Sequence, residues 1–352
     1  MVLALAKYQQ SQGHEVSVIA IFGRNELYQV AESMGLSPKS AMKRPGSDFL
    51  STVRFLRRFF RDKSAEVVHS HNLVPHYFAA AACLGLSAQL LNTRHDMGQH
   101  YTSRQGDFLY RLAMRRSAYG VAVCEAARSE FVSTGAITQA KSRTIVNGID
   151  LANYAPKSAA SKRQLLTSLG VKGDRVVFGN VGRVNPVKDH STMLSAFHEC
   201  LKGGLKAILV IAGNGPAFDS VKDKVQELGI AQEVFFLGQR SDIPEVLKGF
   251  DIFLQSSLTE GYSLALVEAA ICGLPIIATN VGGNAEIILD GENGRLVASK
   301  DVSMYSKAMK DLGESEQMRN RYGDSAFRWA QANGSVQTMY ERYLTLYMGK
   351  RA

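Results

Sequence analysis

The feature that most constrains the fold is an alternation of short apolar runs with helical patterns, nearly continuous along the chain. Short β-rich runs separated by helices are typical of parallel sheets whose strands are joined by crossover helices. The runs form two series, which predicts two doubly wound domains. The first series is 16–21, 66–69, 89–92, 120–123 and 143–146; the second is 175–180, 207–212, 234–237, 252–255, 275–278 and 294–297.

Length and composition agree with two soluble α/β domains. A chain of 352 residues suits two domains better than one. The polar stretch 150–161 separates the two series and is the predicted linker. Four cysteines show neither paired spacing nor a histidine at metal-ligand spacing, which indicates reduced, buried thiols. They are Cys83, Cys124, Cys200 and Cys272.

Two glutamates eight positions apart, Glu260 and Glu268, form the strongest candidate site. Glu260 closes the loop after the predicted strand at 252–255, and a helix is predicted from 263 to 271. Glu260 is therefore expected at the carboxyl edge of the sheet, where α/β folds bind ligands and helix N-termini accept phosphate. Glu268 lies on the same helix, from which it could accept hydrogen bonds from ligand hydroxyls.

Two cations, Arg183 and Lys188, lie on a loop between the strand at 175–180 and a helix predicted to begin near His190. This placement suits a diphosphate, because arginine grips phosphate oxygens bidentately and lysine acts as a point charge. A departing nucleoside diphosphate gains negative charge. Without a metal ion, that charge needs fixed cations and helix dipoles.

Glycine turns follow two further strands of the second series. Gly213-Asn214-Gly215 follows the strand at 207–212, and Gly282-Gly283 follows the strand at 275–278. Glycine lets a backbone approach a ligand closely. Four such loops at the same edge of one sheet favour a binding site over four unrelated turns.

The first domain offers His95, which follows the strand at 89–92 and could face a ligand from that strand's carboxyl end. His69 and His71 lie near the end of the preceding strand. They are candidates for the wall of the site that would contact an acceptor substrate. A serine-hydrolase elbow, a zinc-type motif and a Walker loop are all absent from the sequence.

The sequence resembles family 4 of the retaining glycosyltransferases, which have the GT-B fold. The resemblance covers almost the whole chain. Its most specific element is the pair Glu260 and Glu268, in matching order and separation with Arg183 and Lys188. The segments that carry it are 67–72, 92–96, 121–128, 147–150, 179–189, 210–216, 236–247, 260–269 and 273–288.

The resemblance implies two Rossmann-like domains facing each other across a cleft. Residues 1–155 would bind the acceptor, residues 156–325 would bind the donor, and a C-terminal helix over 326–352 would cross back to the first domain. The implied activity is retaining transfer of a sugar from a UDP- or GDP-type donor to a glycan or lipid-linked acceptor. It would need neither cofactor nor metal and would serve bacterial cell-surface polysaccharide or lipopolysaccharide synthesis.

The resemblance also implies roles for individual residues. Arg183 and Lys188 would stabilise the leaving diphosphate. Glu260 would hold hydroxyls of the donor sugar, and Glu268 would bind the ribose of the donor nucleotide. His95 would position the reacting centre. The expected catalytic residues are His95, Arg183, Lys188 and Glu260. The other expected donor-binding residues are Gly182, Gly213, Asn214, Gly215, Gln239, Arg240, Gly261, Tyr262, Ser263, Leu264, Gly282 and Gly283.

Two departures from the family pattern leave alternatives open. The family opens with a strand and a glycine-rich loop, whereas this sequence opens with a predicted helix at 1–12. Either the true start lies upstream, or the domain natively begins with a helix. Cys124 stands where the family commonly has serine, and a small buried side chain explains it. The alternative functions are a non-catalytic nucleotide-sugar-binding partner subunit, a nucleotide-sugar epimerase and a phosphorylase.

Charge is concentrated in the first half of the chain. Residues 1–155 hold 18 Lys and Arg against 11 Asp and Glu, most of the net charge of +9. The helix predicted over 48–63 carries arginines opposite an apolar face, so it is either a surface for anionic lipid or an ordinary crossover helix. We expect a cytoplasmic protein in peripheral contact with the inner membrane face. Nucleic acid is not an expected partner, since no aromatic pattern interleaves the basic residues.

Overall fold

The computed structural model describes residues 1–24, 26–41, 49–97 and 104–349. The chain divides into two units. The first runs to Gly148 and includes the C-terminal segment from Val336, and the second is Ile149–Ser335. Every strand pairing between the described strands is parallel, and helices connect the strands, so the predicted α/β class is confirmed.

The described strands of the first unit form a four-stranded sheet, in which β3 to β6 follow chain order, and a separate two-stranded sheet. The strand predicted at 16–21 pairs over only two residues, and its partner, Lys39–Ser40, is too polar and too short to show a strand pattern. The strands are β1 Ile19–Ala20, β2 Lys39–Ser40, β3 Val67–His71, β4 Gln89–Arg94, β5 Tyr119–Ala122 and β6 Ser142–Thr144.

Helices of the first unit cover this sheet with small and apolar side chains. Phe78, Ala79 and Ala82 of one helix are buried against Leu56, Val68 and Leu90 of its neighbours. The helix predicted over 48–63 is Phe49–Asp62, and position 48 lies outside the described residues. The helices are α1 Val2–Ser11, α2 Glu26–Ser33, α3 Phe49–Asp62, α4 Leu73–Ala82, α5 Arg104–Arg116 and α6 Glu125–Ser133.

The second unit is built on one six-stranded parallel sheet. Its order is β12-β11-β10-β7-β8-β9, so the chain adds strands on one side of β7 and then on the other. The strand order therefore reverses between β7 and β10, and ligands bind at such switch points in open α/β sheets. The strands are β7 Val176–Val181, β8 Ala207–Ala212, β9 Val234–Gly238, β10 Ile252–Gln255, β11 Ile276–Thr279 and β12 Gly294–Val297.

All six residues of β8 are buried, as expected for a strand covered on both faces. The hydrophobic core around this strand includes Met193 and Phe197 from one helix and Tyr305 and Met309 from another. The helices of this unit are α7 Ala159–Ser168, α8 His190–Lys202, α9 Phe218–Glu227, α10 Ile243–Lys248, α11 Leu264–Ile271, α12 Asn284–Ile287, α13 Val302–Glu314 and α14 Glu316–Asn333.

The last described helix, α15 Val336–Tyr347, belongs to the first unit. Tyr343 of α15 is fully buried, and Met339 and Leu346 pack with Leu5 of α1 and Leu91 of β4. The region predicted as one terminal helix over 326–352 thus contains the end of α14, in the second unit, and α15. None of the helices in the described ranges is both long and apolar enough to cross a membrane.

Candidate functional site

The loops after β7 and β10 meet at the switch point of the second sheet. Leu258 N–H donates to the carbonyl of Val187 at 2.7 Å. The hydroxyl of Ser256 donates to the carbonyls of Lys188 and Asp189 at 2.9 and 2.8 Å. These bonds hold the loop that carries the candidate cations against the loop that carries Glu260.

Glu260 is held through one of its two carboxylate oxygens. Its Oε1 accepts from Lys188 Nζ at 2.5 Å, from Ser257 Oγ at 2.6 Å and from Gln255 Nε2 at 3.1 Å. Its Oε2 has no hydrogen-bond partner within the described ranges. The carboxylate is therefore fixed in orientation while one oxygen remains able to accept from a ligand.

A buried polar layer supports this carboxylate. Gln255 accepts from Ser263 Oγ at 2.8 Å through its carbonyl oxygen, and so turns its amide group toward Glu260. Thr279 Oγ1 donates to the carbonyl of Ser257 at 2.6 Å, and Asn284 Nδ2 donates to the carbonyl of Thr279 at 3.0 Å. All of these side chains are buried, so the layer restrains the Glu260 carboxylate from the side of the protein interior.

Sequence analysis missed Gln255, Ser257 and Asn284. The available signal was the polar run 255–257 at the end of an otherwise apolar strand. A buried polar side chain must find a hydrogen-bond partner, so such a run at a strand end is costly unless it serves a network.

Arg183 is exposed and makes no hydrogen bond or ion pair with any residue that the structure describes. Its loop is nevertheless well defined. Asn185 accepts from the N–H of Lys188 at 3.2 Å, and Asp189 caps α8 by accepting from the N–H and hydroxyl of Thr192. The unpaired Arg183 therefore lies on a well-defined loop, five positions before a lysine whose partner is a carboxylate.

The glycines of this edge allow the loops to pack against one another. A Cβ on Gly213 would lie 1.8 Å from the carbonyl oxygen of Gly182, and one on Gly282 would lie 1.7 Å from that of Glu260. A Cβ on Gly215 would lie 2.2 Å from the carbonyl oxygen of Val184. We predicted that these glycines let the backbone approach a ligand closely. In the structure they let one loop backbone approach another.

Glu268 is half-buried on α11, and burial raises the pKa of its carboxyl group above the ordinary value of 4.5. The hydroxyl of Tyr154 lies near this carboxylate and opposes the rise in the pKa of Glu268. Burial and the nearby charge of Glu268 raise the pKa of Tyr154 in turn. Tyr154 is 114 positions away in sequence, and no sequence pattern indicated it.

The remaining predicted donor-binding residues occupy the same edge. Gln239 and Arg240 are exposed after β9, where Arg240 forms a two-bond ion pair with Asp242 at 2.8 and 2.6 Å. Asn214 is exposed, and its carbonyl accepts from the N–H of Val184. The segment that enters α11 comprises Gly261, buried Tyr262, buried Ser263 and half-buried Leu264, and the N–H of Gly283 donates to the carbonyl of Gly261 at 2.9 Å.

His95 lies in the first unit, directly after β4. Its Nε2 is 3.1 Å from Nδ1 of His71, and its backbone N–H donates to Asn72 Oδ1 at 3.3 Å. Burial lowers the pKa of His95 to about 4, so the ring is neutral near pH 7. His69 and His71 lie beside one another, with ring centroids 4.2 Å apart.

A buried arginine fixes the loop of His95. Arg94 is 3% exposed and pairs with Asp96 at 2.6 Å, so the two neighbours of His95 are joined to each other. The guanidinium lies over the rings of Phe131 and Tyr110, at 4.3 and 5.1 Å from their centroids. Such contacts offset part of the cost of burying the charge.

Comparison with known proteins gives the family. Residues 161–329 match the model of glycosyl transferases group 1, and residues 1–153 match that of glycosyltransferase family 4. Together the two matches span nearly the whole chain. The chain is therefore a member of the family 4 glycosyltransferases, with the two-domain GT-B fold that the sequence predicted.

Individual relatives agree. The chain is 28% identical over 272 residues to the putative glycosyltransferase EpsF of Bacillus subtilis, covering 75% of this chain and 70% of that protein. It is 34% identical over 173 residues to UDP-Gal:alpha-D-GlcNAc-diphosphoundecaprenol alpha-1,3-galactosyltransferase of Escherichia coli, covering 48% and 44%. The crystal structure of Anabaena Alr3699/HepE in complex with UDP superposes with a TM-score of 0.89 at 21% identity, covering 99% of this chain and 95% of that one.

Proposed function

We propose that this glycosyltransferase binds a nucleotide-sugar at the switch point of its second unit and transfers the sugar with retention of configuration, without a metal ion. One observation carries the proposal. Within two hydrogen-bonded loops, Arg183 is free of partners among the described residues, Lys188 is paired with Glu260, and Glu260 keeps one oxygen free. A diphosphate and a sugar hydroxyl are the complementary ligands.

The arrangement supplies the charge that the leaving group needs. Arg183 and Lys188 stabilise the diphosphate as its negative charge grows, which is the task that a metal ion performs in other transferases. A diphosphate competes with Glu260 for Lys188, and a sugar hydroxyl compensates the carboxylate at its free oxygen. Glu268, which lies near Tyr154, accepts from the hydroxyls of the ribose.

His95 of the first unit positions the sugar, and its neutral ring suits a hydrogen bond to a hydroxyl. The names of the relatives support the substrate class. The E. coli relative is named for a UDP-Gal donor and a diphosphoundecaprenol acceptor, and the Anabaena structure contains UDP. A UDP-type donor and a glycan or lipid-linked acceptor of bacterial cell-surface polysaccharide or lipopolysaccharide synthesis are the proposed substrates.

Contact with an anionic membrane is part of the proposal, because the first unit exposes apolar and basic side chains on two helices. On α5, Phe108 is 67% exposed, and Leu109 and Leu112 are about half exposed, with Arg115 one turn further on. On α3, Leu50 and Phe55 are exposed, with exposed arginines at 54, 58 and 61. Exposed aromatic and leucine side chains beside arginines fit the interface of an anionic bilayer.

Product analysis tests the proposed activity. Purified protein is incubated with UDP- and GDP-sugars and lipid-linked acceptors, with chelator present, and the anomeric configuration of the product is read by NMR. A product with the donor's configuration, formed equally with and without chelator, is expected. Inversion, or loss of activity with chelator, would refute the retaining, metal-free mechanism. Epimerised donor without transfer would identify an epimerase.

Vesicle co-sedimentation tests the membrane contact separately. We expect binding to phosphatidylglycerol vesicles, little binding to phosphatidylcholine vesicles, and release by salt, because the attraction is screened. Phe108→Ser should weaken binding, whereas Leu289→Ser, at an exposed leucine of the second unit, should not. Equal binding to both lipids would contradict an electrostatic contact.

A further inference from the structure

Three histidines of the first unit form a connected cluster. His69 and His71 alternate along β3, and His95 follows the neighbouring strand β4. The rings of His71 and His95 are stacked at an interplanar angle of 25° with centroids 5.4 Å apart. Their single hydrogen bond joins His71 Nδ1 to His95 Nε2 at 3.1 Å.

On its other neighbouring side chain, His71 contacts a histidine that is itself fixed by hydrogen bonds. Its ring lies 4.2 Å from that of His69. Both nitrogens of His69 are engaged, Nδ1 with the hydroxyl of Tyr347 and Nε2 with that of Thr93, each at 2.8 Å. Thr93 is bonded in turn to the hydroxyl of buried Tyr343 at 2.9 Å. The ring of His71 therefore packs against a histidine whose own ring is fixed by two hydrogen bonds.

We propose that His71 is a positioning residue that engages Nε2 of His95 and so presents Nδ1 of His95 to the ligand. The inference rests on the proposed function, in which His95 contacts the donor sugar. Nδ1 of His95 has no hydrogen-bond partner in the part of the chain that the structure describes. The contact atom is thereby assigned, which the sequence alone left open.

The pairing also defines the chemistry of the contact. A neutral imidazole carries one N–H, so a bond at Nε2 decides what remains at Nδ1. If His71 donates, Nδ1 of His95 carries the proton and donates; if His71 accepts, Nδ1 is an acceptor. A sugar hydroxyl can complement either state, whereas a phosphate or carboxylate oxygen can complement only the state in which Nδ1 donates.

Amide substitutions at position 95 test the assignment of the atom. The asparagine amide lies near the place of the histidine Nδ1, whereas the glutamine amide lies near that of Nε2. His95→Asn should therefore retain about tenfold more kcat/KM than His95→Gln, the equivalent of one hydrogen bond. His198→Asn, at a half-buried histidine of the second unit, is the matched control. Greater activity of His95→Gln would overturn the assignment.

The role of His71 is tested by nitrogen-15 NMR of the full chain, which reports the tautomer of His95 directly. One tautomer is expected in the wild type, a mixture in His71→Leu, and a single tautomer again in His71→Asn, whose amide replaces Nδ1. Unchanged His95 signals in a folded His71→Leu variant would overturn the proposal. If the wild-type protein does not bind a nucleotide-sugar, the proposed function itself is refuted. Failure of the His71 proposal and failure of the proposed function are therefore distinguishable.

Discussion

Replacing Gly282 with alanine tests the idea that loop packing positions Glu260. Gly282 has φ of +52°, a left-handed conformation that costs a non-glycine residue about 1–2 kcal/mol. Its added Cβ would lie 1.7 Å from the carbonyl oxygen of Glu260, whereas real Cβ atoms essentially never come within 3.0 Å of another atom. One of the two backbones must therefore retreat by at least 1.3 Å, the difference between these distances.

Displacement of that size should affect catalysis more than folding. A misplacement of about 1 Å in a catalytic group can cost on the order of 100-fold in rate. We expect Gly282→Ala to lower kcat/KM by about that factor, measured as sugar transfer under initial-rate conditions. Thermal unfolding of the same sample gives the loss of stability.

Gly229→Ala is the matched control. Gly229 also has a left-handed backbone, with φ of +67°, but nothing lies within 4 Å of its added Cβ. It should lose the same ~1–2 kcal/mol of stability and retain its transfer activity. Equal activity of the two variants, at equal stability, would refute the argument that the Gly282 contact sets the position of Glu260.

Three further predictions concern stability. Burial raises the pKa of Glu268 above 4.5, so its contribution to stability falls as pH rises through that pKa; Glu268→Gln should raise Tm at pH 8, and the gain should vanish toward pH 4. Burial lowers the pKa of His69 to about 3 and of His95 to about 4, so stability should fall as pH drops from about 6.5 to 4, by up to ~1.4 kcal/mol per pH unit for each histidine. Denaturant titrations across pH should show a smaller slope in His69→Gln, and an unchanged slope would contradict this linkage. Arg94→Leu removes the ion pair with Asp96 and should cost roughly 3 kcal/mol, most of which Asp96→Asn should restore in the double variant; no recovery would count against the pair.

The sequence predicted the elements whose signal is local. Buried parallel strands are continuous apolar runs, so β8 and β10 have the predicted bounds. The helix at α8 begins at His190, where Asp189 provides a cap. By contrast, β1 and β2 are two-residue pairings, and nothing in a polar segment such as Lys39–Ser40 predicts a strand.

Side-chain partners far apart in sequence were not predictable. Glu260 could be placed at the sheet edge, but its bond to Lys188 depends on two loops meeting across β7 and β10. The proximity of Tyr154 to Glu268 likewise brings distant segments of the chain together. The glycines marked the positions of these loops in the sequence. They are needed because the loops contact one another, and that contact follows only from the packing of the whole sheet edge.

The central claim is that the switch point of the second unit binds a nucleotide diphosphate through fixed cations. Calorimetric titration of the full chain with UDP and UDP-sugars, in the presence of chelator, tests it most directly. Wild type and Arg163→Ala, which removes an exposed arginine of α7, should bind alike, while Arg183→Ala should bind about 10- to 100-fold more weakly. Equal affinity of all three proteins, or no binding by any of them to UDP- or GDP-sugars, would contradict the account.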